Sequence, residues 1–177
     1  LVGSEMCIRD STNAIAEYEK TLITPNSPFD RYLKGDENAI SENAKKGYKL
    51  FLKLGCQTCH TGPAMGGQSF EYADLKGDFF AGRAKTNDDN GLMNFSKKES
   101  DRHRFRVPTL RNVELTWPYM HDASAQTLEE AITKMYHYQL GYDKLDKKEV
   151  RLLVAFLKTL TGEYNGKPVQ GEVCPAS

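Results

Sequence analysis

Two thiols three residues apart, with an imidazole directly after them, stand at Cys56-Gln57-Thr58-Cys59-His60. That combination is the attachment signature of a c-type haem. The spacing has a chemical reason. Cys56 and Cys59 lie about one helical turn apart, so each sulfur can add to one of the two vinyl groups on a haem edge. His60 then falls beneath the macrocycle, where a neutral imidazole nitrogen can ligate the iron from the proximal side. A redox dithiol and half of a zinc site use the same pair of thiols. Zinc would need a second pair of ligands, and the other cysteines, Cys7 and Cys174, lie near the two ends of the chain. A thioredoxin-like dithiol needs alternating strands and helices, a pattern this sequence does not carry.

The elements that must position the motif are helical. Ser41 is a good N-cap, and Ala44, Tyr48, Leu50, Phe51 and Leu54 form an apolar stripe that runs straight into Cys56. Downstream, Thr127-Leu128-Glu129-Glu130 reads as a capping box, with Leu128, Ala131, Ile132 and Met135 sharing one helix face. Asp146 with Glu149 repeats the cap logic for a last helix. There Val150, Leu153, Phe156, Leu157 and Leu160 make the buried stripe and Gly162 the stop. A further helix is expected over residues 12–22, with Ile15, Tyr18 and Leu22 on one side, broken by Pro25 and Pro28. The fold class is therefore all-α: a cytochrome c-like haem domain with long loops and little or no strand.

Residues 61–101 read as loop. Gly62-Pro63 and Gly66-Gly67 let the backbone pass close to a flat ligand. Residues 78–80 suggest a short strand or turn. Asp88-Asp89-Asn90-Gly91 is a turn, and a solvated one rather than a calcium loop. Further on, Arg106 and Arg111 are candidate partners for the haem propionates, with ordinary surface salt bridges as the alternative. His121 lies in the proline-locked stretch Thr116-Trp117-Pro118-Tyr119-Met120-His121-Asp122, as an iron ligand, an electron-transfer contact or a packing residue. For the sixth iron position Met65, Met93, Met120 and Met135 all lie downstream of His60, and Met135 stands out by its place on a capped helix.

The chain has 177 residues, with 24 Lys plus Arg against 24 Asp plus Glu, so no net field draws it to nucleic acid or anionic lipid. Its hydrophobic fraction of 39% suits a soluble fold, and no apolar run reaches membrane-spanning length. Covalent haem attachment takes place outside the cytoplasm, which points to the periplasm. Residues 1–11 lack the basic start and apolar core of a signal peptide, and the chain opens on Leu1. It reads as an internal or truncated piece with the N-terminus upstream.

The sequence resembles the C-terminal haem domain of the bacterial di-haem cytochrome c peroxidases, together with part of the segment that joins their two haem domains. The matching stretches include Tyr18-Glu19-Lys20-Thr21-Leu22, Phe29-Asp30-Arg31-Tyr32-Leu33 and Gly47-Tyr48-Lys49-Leu50-Phe51 leading into CxxCH. Gly66-Gly67-Gln68-Ser69, residues 105–112 and 118–122, Gln139-Leu140-Gly141 and Ala155-Phe156-Leu157 extend the match. The resemblance implies a high-potential haem with His60 as proximal and Met135 as distal ligand, which accepts and stores an electron. It implies calcium held at the interface with a second haem domain, through backbone carbonyls matched here by Thr116 and Pro118. It sets His121 near the haem as an electron-transfer contact. Relatives usually have glycine where this chain has Ala123.

The organisation that follows is residues 1–11 as a non-native or disordered extension containing Cys7, and 12–40 as interdomain segment. Residues 41–163 form the cytochrome domain with one haem c, and 164–177 a polar, frayed tail with Cys174. By resemblance, the parent enzyme takes electrons from a small donor, a cytochrome c or cupredoxin, and passes them to hydrogen peroxide at a second haem in an N-terminal domain. With one CxxCH and no peroxidatic residues, this chain alone is expected to be inactive as a peroxidase. Relatives are commonly homodimers. The alternatives are a MauG-like oxidase of a partner protein, which uses a tyrosine as distal ligand, and a mono-haem electron carrier.

Overall fold

A computed structural model describes residues 2–171. Six helices appear among them: α1 (Val2–Glu19), α2 (Pro28–Leu33), α3 (Glu42–Lys53), α4 (Met93–Ser96), α5 (Leu128–Tyr138) and α6 (Lys147–Leu157). Strand is confined to two antiparallel ribbons. Strands β1 (Phe70–Tyr72) and β2 (Arg104–Arg106) pair with Glu71 opposite Phe105, and β3 (Glu163–Tyr164) pairs with β4 (Lys167–Pro168). The fold is thus mainly α with long loops.

Helix α3 starts where its cap chemistry says it should, with Ser41 Oγ accepting from Ala44 N at 3.2 Å. The α5 cap is a variant of the expected box. Thr127 Oγ1 accepts from Glu130 N at 3.1 Å, but the Glu130 carboxylate reaches back to Gln126 N, one residue further upstream. Asp146 caps α6 by accepting from Lys148 N at 3.0 Å.

The core lies where α3 crosses α6. Phe156 has no exposed surface and meets Phe29, Tyr48 and Phe51 with ring centroids 5.0, 5.3 and 5.2 Å away. Gly47 makes the crossing close, since a methyl carbon there would stand 1.9 Å from the Leu152 carbonyl oxygen.

Three boundaries differ from the expectation. Helix α1 begins at Val2, so residues 2–11 continue the helix expected from residue 12, and the side chains described along it, Ile15 and Tyr18 included, are exposed. Leu22 is exposed as well. A stripe on a helix can be amphipathic by spacing and still lack a surface to cover. Second, part of the 12–40 segment belongs to the core: Ser27, Phe29 and Ile40 are buried there. Ser27 and Asp30 cap α2 reciprocally, which swings Phe29 inward against α6. Third, the chain beyond Glu163 forms a hairpin over Asn165 and Gly166, both at positive φ. Glu163 N bonds Pro25 O at 2.7 Å and Val169 N bonds Gly162 O at 3.0 Å. Cys174 lies outside the described residues. Residues 78–80 are a turn, with Phe79 and Phe80 buried.

Ala123 has φ of 55°, in the left-handed region that costs an L-residue with a Cβ roughly 1–2 kcal/mol. The residue is exposed, and the turn's own bonds, Ala123 N to Met120 O and Gln126 Nε2 to Ala123 O, use only backbone atoms of Ala123 that glycine would keep. Ala123→Gly should therefore raise stability by about 0.5–1 kcal/mol after glycine's greater unfolded-state freedom is subtracted. A chemical-denaturation midpoint that moves the other way would show that the turn is not strained.

Candidate functional site: the CxxCH turn and its surroundings

Helix α3 ends at Lys53 with Leu54 as its C-cap, and Gly55 turns the chain through φ of 78° into a short 3-10 turn over Cys56–Thr58. Cys56 and Cys59 are half-buried at the start and end of this turn, and His60 N closes onto Cys56 O at 3.0 Å. Burial pushes the Cys56 thiol up to about 11, and Cys59 rises for the same reason. An activated dithiol needs the opposite shift, a lowered thiol that is thiolate at neutral pH. The pair thus lacks the activation of a redox dithiol, and its spacing beside His60 suits thioether attachment.

His60 is held from behind. Its Nδ1 lies 3.3 Å from the Met65 carbonyl oxygen, so the Nδ1–H tautomer donates there and Nε2 keeps its lone pair. Burial lowers the pKa of His60, against hydrogen bonds to the Met65 and Pro108 carbonyls, so the ring is neutral near pH 7. A neutral imidazole anchored through its second nitrogen is how proteins present histidine to a metal. On these grounds the residues fit a covalent haem.

Two of the glycines after the motif lie against the chain itself. A methyl carbon at Gly66 would stand 2.1 Å from the Pro108 carbonyl oxygen, and Gly67 N bonds Val107 O at 2.7 Å. Close backbone approach is needed, but to residues 107–109 of the chain itself. Strand β2 and the segment after it thus lie along the 61–67 loop.

Met135 continues the α5 face of Leu128, Ala131 and Ile132, and is half-buried. Met65 and Met120 pack against the hydrophobic core, as do Ala131 and Ile132, whereas Met135 is outside that packing. Tyr136, its neighbour, is turned toward Tyr142 with centroids 5.0 Å apart.

The two arginines part company. Arg106 is exposed and donates from Nε to Gly67 O at 2.9 Å, beside the loop that follows the motif. Arg111 donates to Asp30 at 2.8 and 2.9 Å, to Thr24 O at 3.0 Å, and to Pro63 O at 3.2 and 2.9 Å. These bonds use every N–H a guanidinium has. Arg111 thus spends its donors within the chain and ties the 24–30 segment to the 63 loop.

His121 is held as well. Its Nε2 lies 2.8 Å from Asp89 Oδ1, and its ring stacks on Phe105 at 4.3 Å between centroids. The sequence suggests a solvated turn at Asp89, yet the residue is only 2% exposed. Arg83 binds it through both terminal nitrogens at 2.9 and 2.6 Å, and Thr86 N donates at 2.6 Å. Arg83 above all holds the Asp89 carboxyl far below the usual carboxylate range, with His121 and Thr86 adding to it against the cost of burial. The signal for this was present in the sequence. Thr86 and Asp89 stand at the i, i+3 spacing of a capping box. Thr116 and Pro118 are exposed on either side of Trp117, and the Trp117–Pro118 bond is cis.

A family model described as cytochrome c matches residues 44–161, which takes in most of α3, the CxxCH turn, α5 and α6. The chain belongs to the cytochrome c family. Such a domain carries covalent haem c. A second model, di-haem cytochrome c peroxidase, matches residues 3–38, so the long exposed helix and the α2 region are part of the likeness. The chain is 47% identical over 161 residues to the cytochrome c551 peroxidase of Nitrosomonas europaea, covering 91% of this chain and 47% of that protein. It is 52% identical over 153 residues to a cytochrome c peroxidase of Escherichia coli, covering 86% of this chain and 32% of that protein. Among solved structures, a MauG-like protein associated with microbial copper homeostasis superposes with a TM-score of 0.63 at 30% identity, over 78% of this chain and 52% of that one. The chain therefore matches the di-haem cytochrome c peroxidase family, and it spans about half or less of the length of these curated relatives.

Proposed function

We propose that this chain is the electron-accepting haem domain of a di-haem cytochrome c peroxidase. The observation that carries the reading is His60 fixed through Nδ1 to the Met65 carbonyl, directly after two half-buried thiols. Cys56 and Cys59 would hold the haem as thioethers, with His60 below the iron and Met135 above it. A haem bound by imidazole and thioether supplies a raised potential, because the soft sulfur favours ferrous iron. Arg106, exposed beside Gly67, is the propionate partner of this reading. His121 is its electron-transfer contact.

In the longer protein, a small donor such as a cytochrome c or cupredoxin delivers electrons here, and hydrogen peroxide is reduced at a second haem. Calcium bound by the Thr116 and Pro118 carbonyls would join the two haem domains. The periplasm and a homodimeric assembly belong to the same reading. Among the described residues no helix is long and apolar enough to cross a membrane. The likeness to a MauG-like protein raises the oxidase alternative. The Tyr136 ring packed on Tyr142, one position along the helix from Met135, speaks for the peroxidase.

One experiment tests attachment and ligation together. Haem-loaded wild type should keep its haem stain on a denaturing gel and show the weak red charge-transfer band of ferric iron on methionine sulfur. Met135→Ala should keep the stain and lose the band. Stain lost from wild type refutes covalent attachment. A band surviving in Met135→Ala moves the ligand to another methionine, with Met120 first in line.

A further inference from the structure

Among the described residues Asp89 is the one charged side chain in the buried class. A buried carboxylate needs partners, and Arg83 with the Thr86 amide already supplies three strong donors. The His121 imidazole is a further partner, recruited from 32 residues away. It has little freedom left: the side chain is 17% exposed, one face lies on Phe105, and Phe79 and Phe80 stand 5.6 and 6.0 Å away.

We infer that Asp89 is a positioning residue for His121, fixing both the ring's orientation and its Nε2–H tautomer. Nδ1 then keeps its lone pair. The inference rests on the reading of His121 as electron-transfer contact. The step concerned is the transfer of one electron from a ferrous donor protein to the ferric haem of this domain. The donor is oxidised, the haem is reduced, and no proton moves.

Asp89→Asn separates positioning from mere packing. Oδ2 faces Arg83 Nη1 and Thr86 N, two donors that cannot reverse their roles. The amide NH2 must then replace Oδ1, opposite Arg83 Nη2 and His121 Nε2. Of those two only the imidazole can become an acceptor, so the ring should flip to its Nδ1–H tautomer, the effect an amide has when it replaces the carboxylate of a catalytic triad.

The readouts are the ¹⁵N signals of His121 in the ferrous, haem-loaded chain, and the stopped-flow rate of haem reduction by a ferrous small cytochrome c. Wild type should show Nε2–H. Asp89→Asn should show Nδ1–H and reduce about tenfold more slowly, with its red band intact. His121→Gln should also be slow. An Nδ1–H tautomer in wild type overturns the inference even if the variant fails to fold. So does a wild-type rate in Asp89→Asn while His121→Gln is slow. A wild-type rate in His121→Gln removes the electron-transfer role beneath it, and the red band then still reports whether the haem-domain reading stands.

Discussion

Gly47→Ala should be among the most damaging single-methyl changes in this chain. The added carbon would lie 1.9 Å from the Leu152 carbonyl oxygen, 2.7 Å from its carbon and 2.9 Å from Phe156 Cβ. Two of these atoms are backbone inside α6, so no rotamer change relieves the contact, and the two helices must separate. Overpacking of a core costs typically 1–3 kcal/mol and occasionally more, and a clash with rigid backbone belongs at the upper end. Alanine's better helix propensity returns only about 1 kcal/mol. A net loss of about 2–3 kcal/mol should appear as a lower midpoint in urea unfolding of the haem-loaded protein. Because α3 leads directly to Gly55 and Cys56, the haem's visible dichroism should change as well. An unchanged midpoint would mean that the crossing is not close-packed.

Arg111→Met should damage stability and leave the haem's potential where it was. The change removes all five hydrogen bonds and leaves the Asp30 carboxylate, 19% exposed at its side chain, with the Ser27 amide in place of its cation. Removing one partner from a buried pair costs about 3–5 kcal/mol; the partial exposure here brings the expectation to about 2–3 kcal/mol. The pH dependence has a defined sign. Burial raises the Asp30 pKa, but the Arg111 and Ser27 bonds outweigh it and the carboxyl is lowered. A lowered carboxyl stabilises the fold above its unfolded pKa, about 4, and that contribution fades as pH falls through the folded value. The gap between wild type and Arg111→Met should thus be full at pH 7 and narrow below about pH 4. A potential shift in Arg111→Met larger than that in an Arg106→Met control would return Arg111 to the haem.

The contrast between those two arginines shows what kind of information a sequence carries. Both stand in the basic, apolar run before Asn112, and nothing local separates them. What separates them is distance along the chain: Asp30 lies 81 residues from Arg111 and Pro63 lies 48 away. Likewise, the stripe of Ile15, Tyr18 and Leu22 has the right spacing for packing, and only the fold reveals that none of the described residues covers it.

The sequence by itself determined the parts of this protein whose chemistry is local. The spacing of Cys56, Cys59 and His60 reads as a haem-attachment motif, because one helical turn matches one haem edge. Ser41, Thr127 and Asp146 mark helix starts, because a cap acts within three residues. The stripe of α6 marks the core, because burial follows helical periodicity. Tertiary structure alone decided which charged groups meet and where backbones nearly touch. Asp89 could be a solvated turn residue until Arg83 and His121 close over it. Gly47 is a weak helix residue until α6 lies across it. A hydrogen bond or a steric contact depends on position to within a few tenths of an ångström, and for residues far apart in the chain that position exists only once the chain has folded.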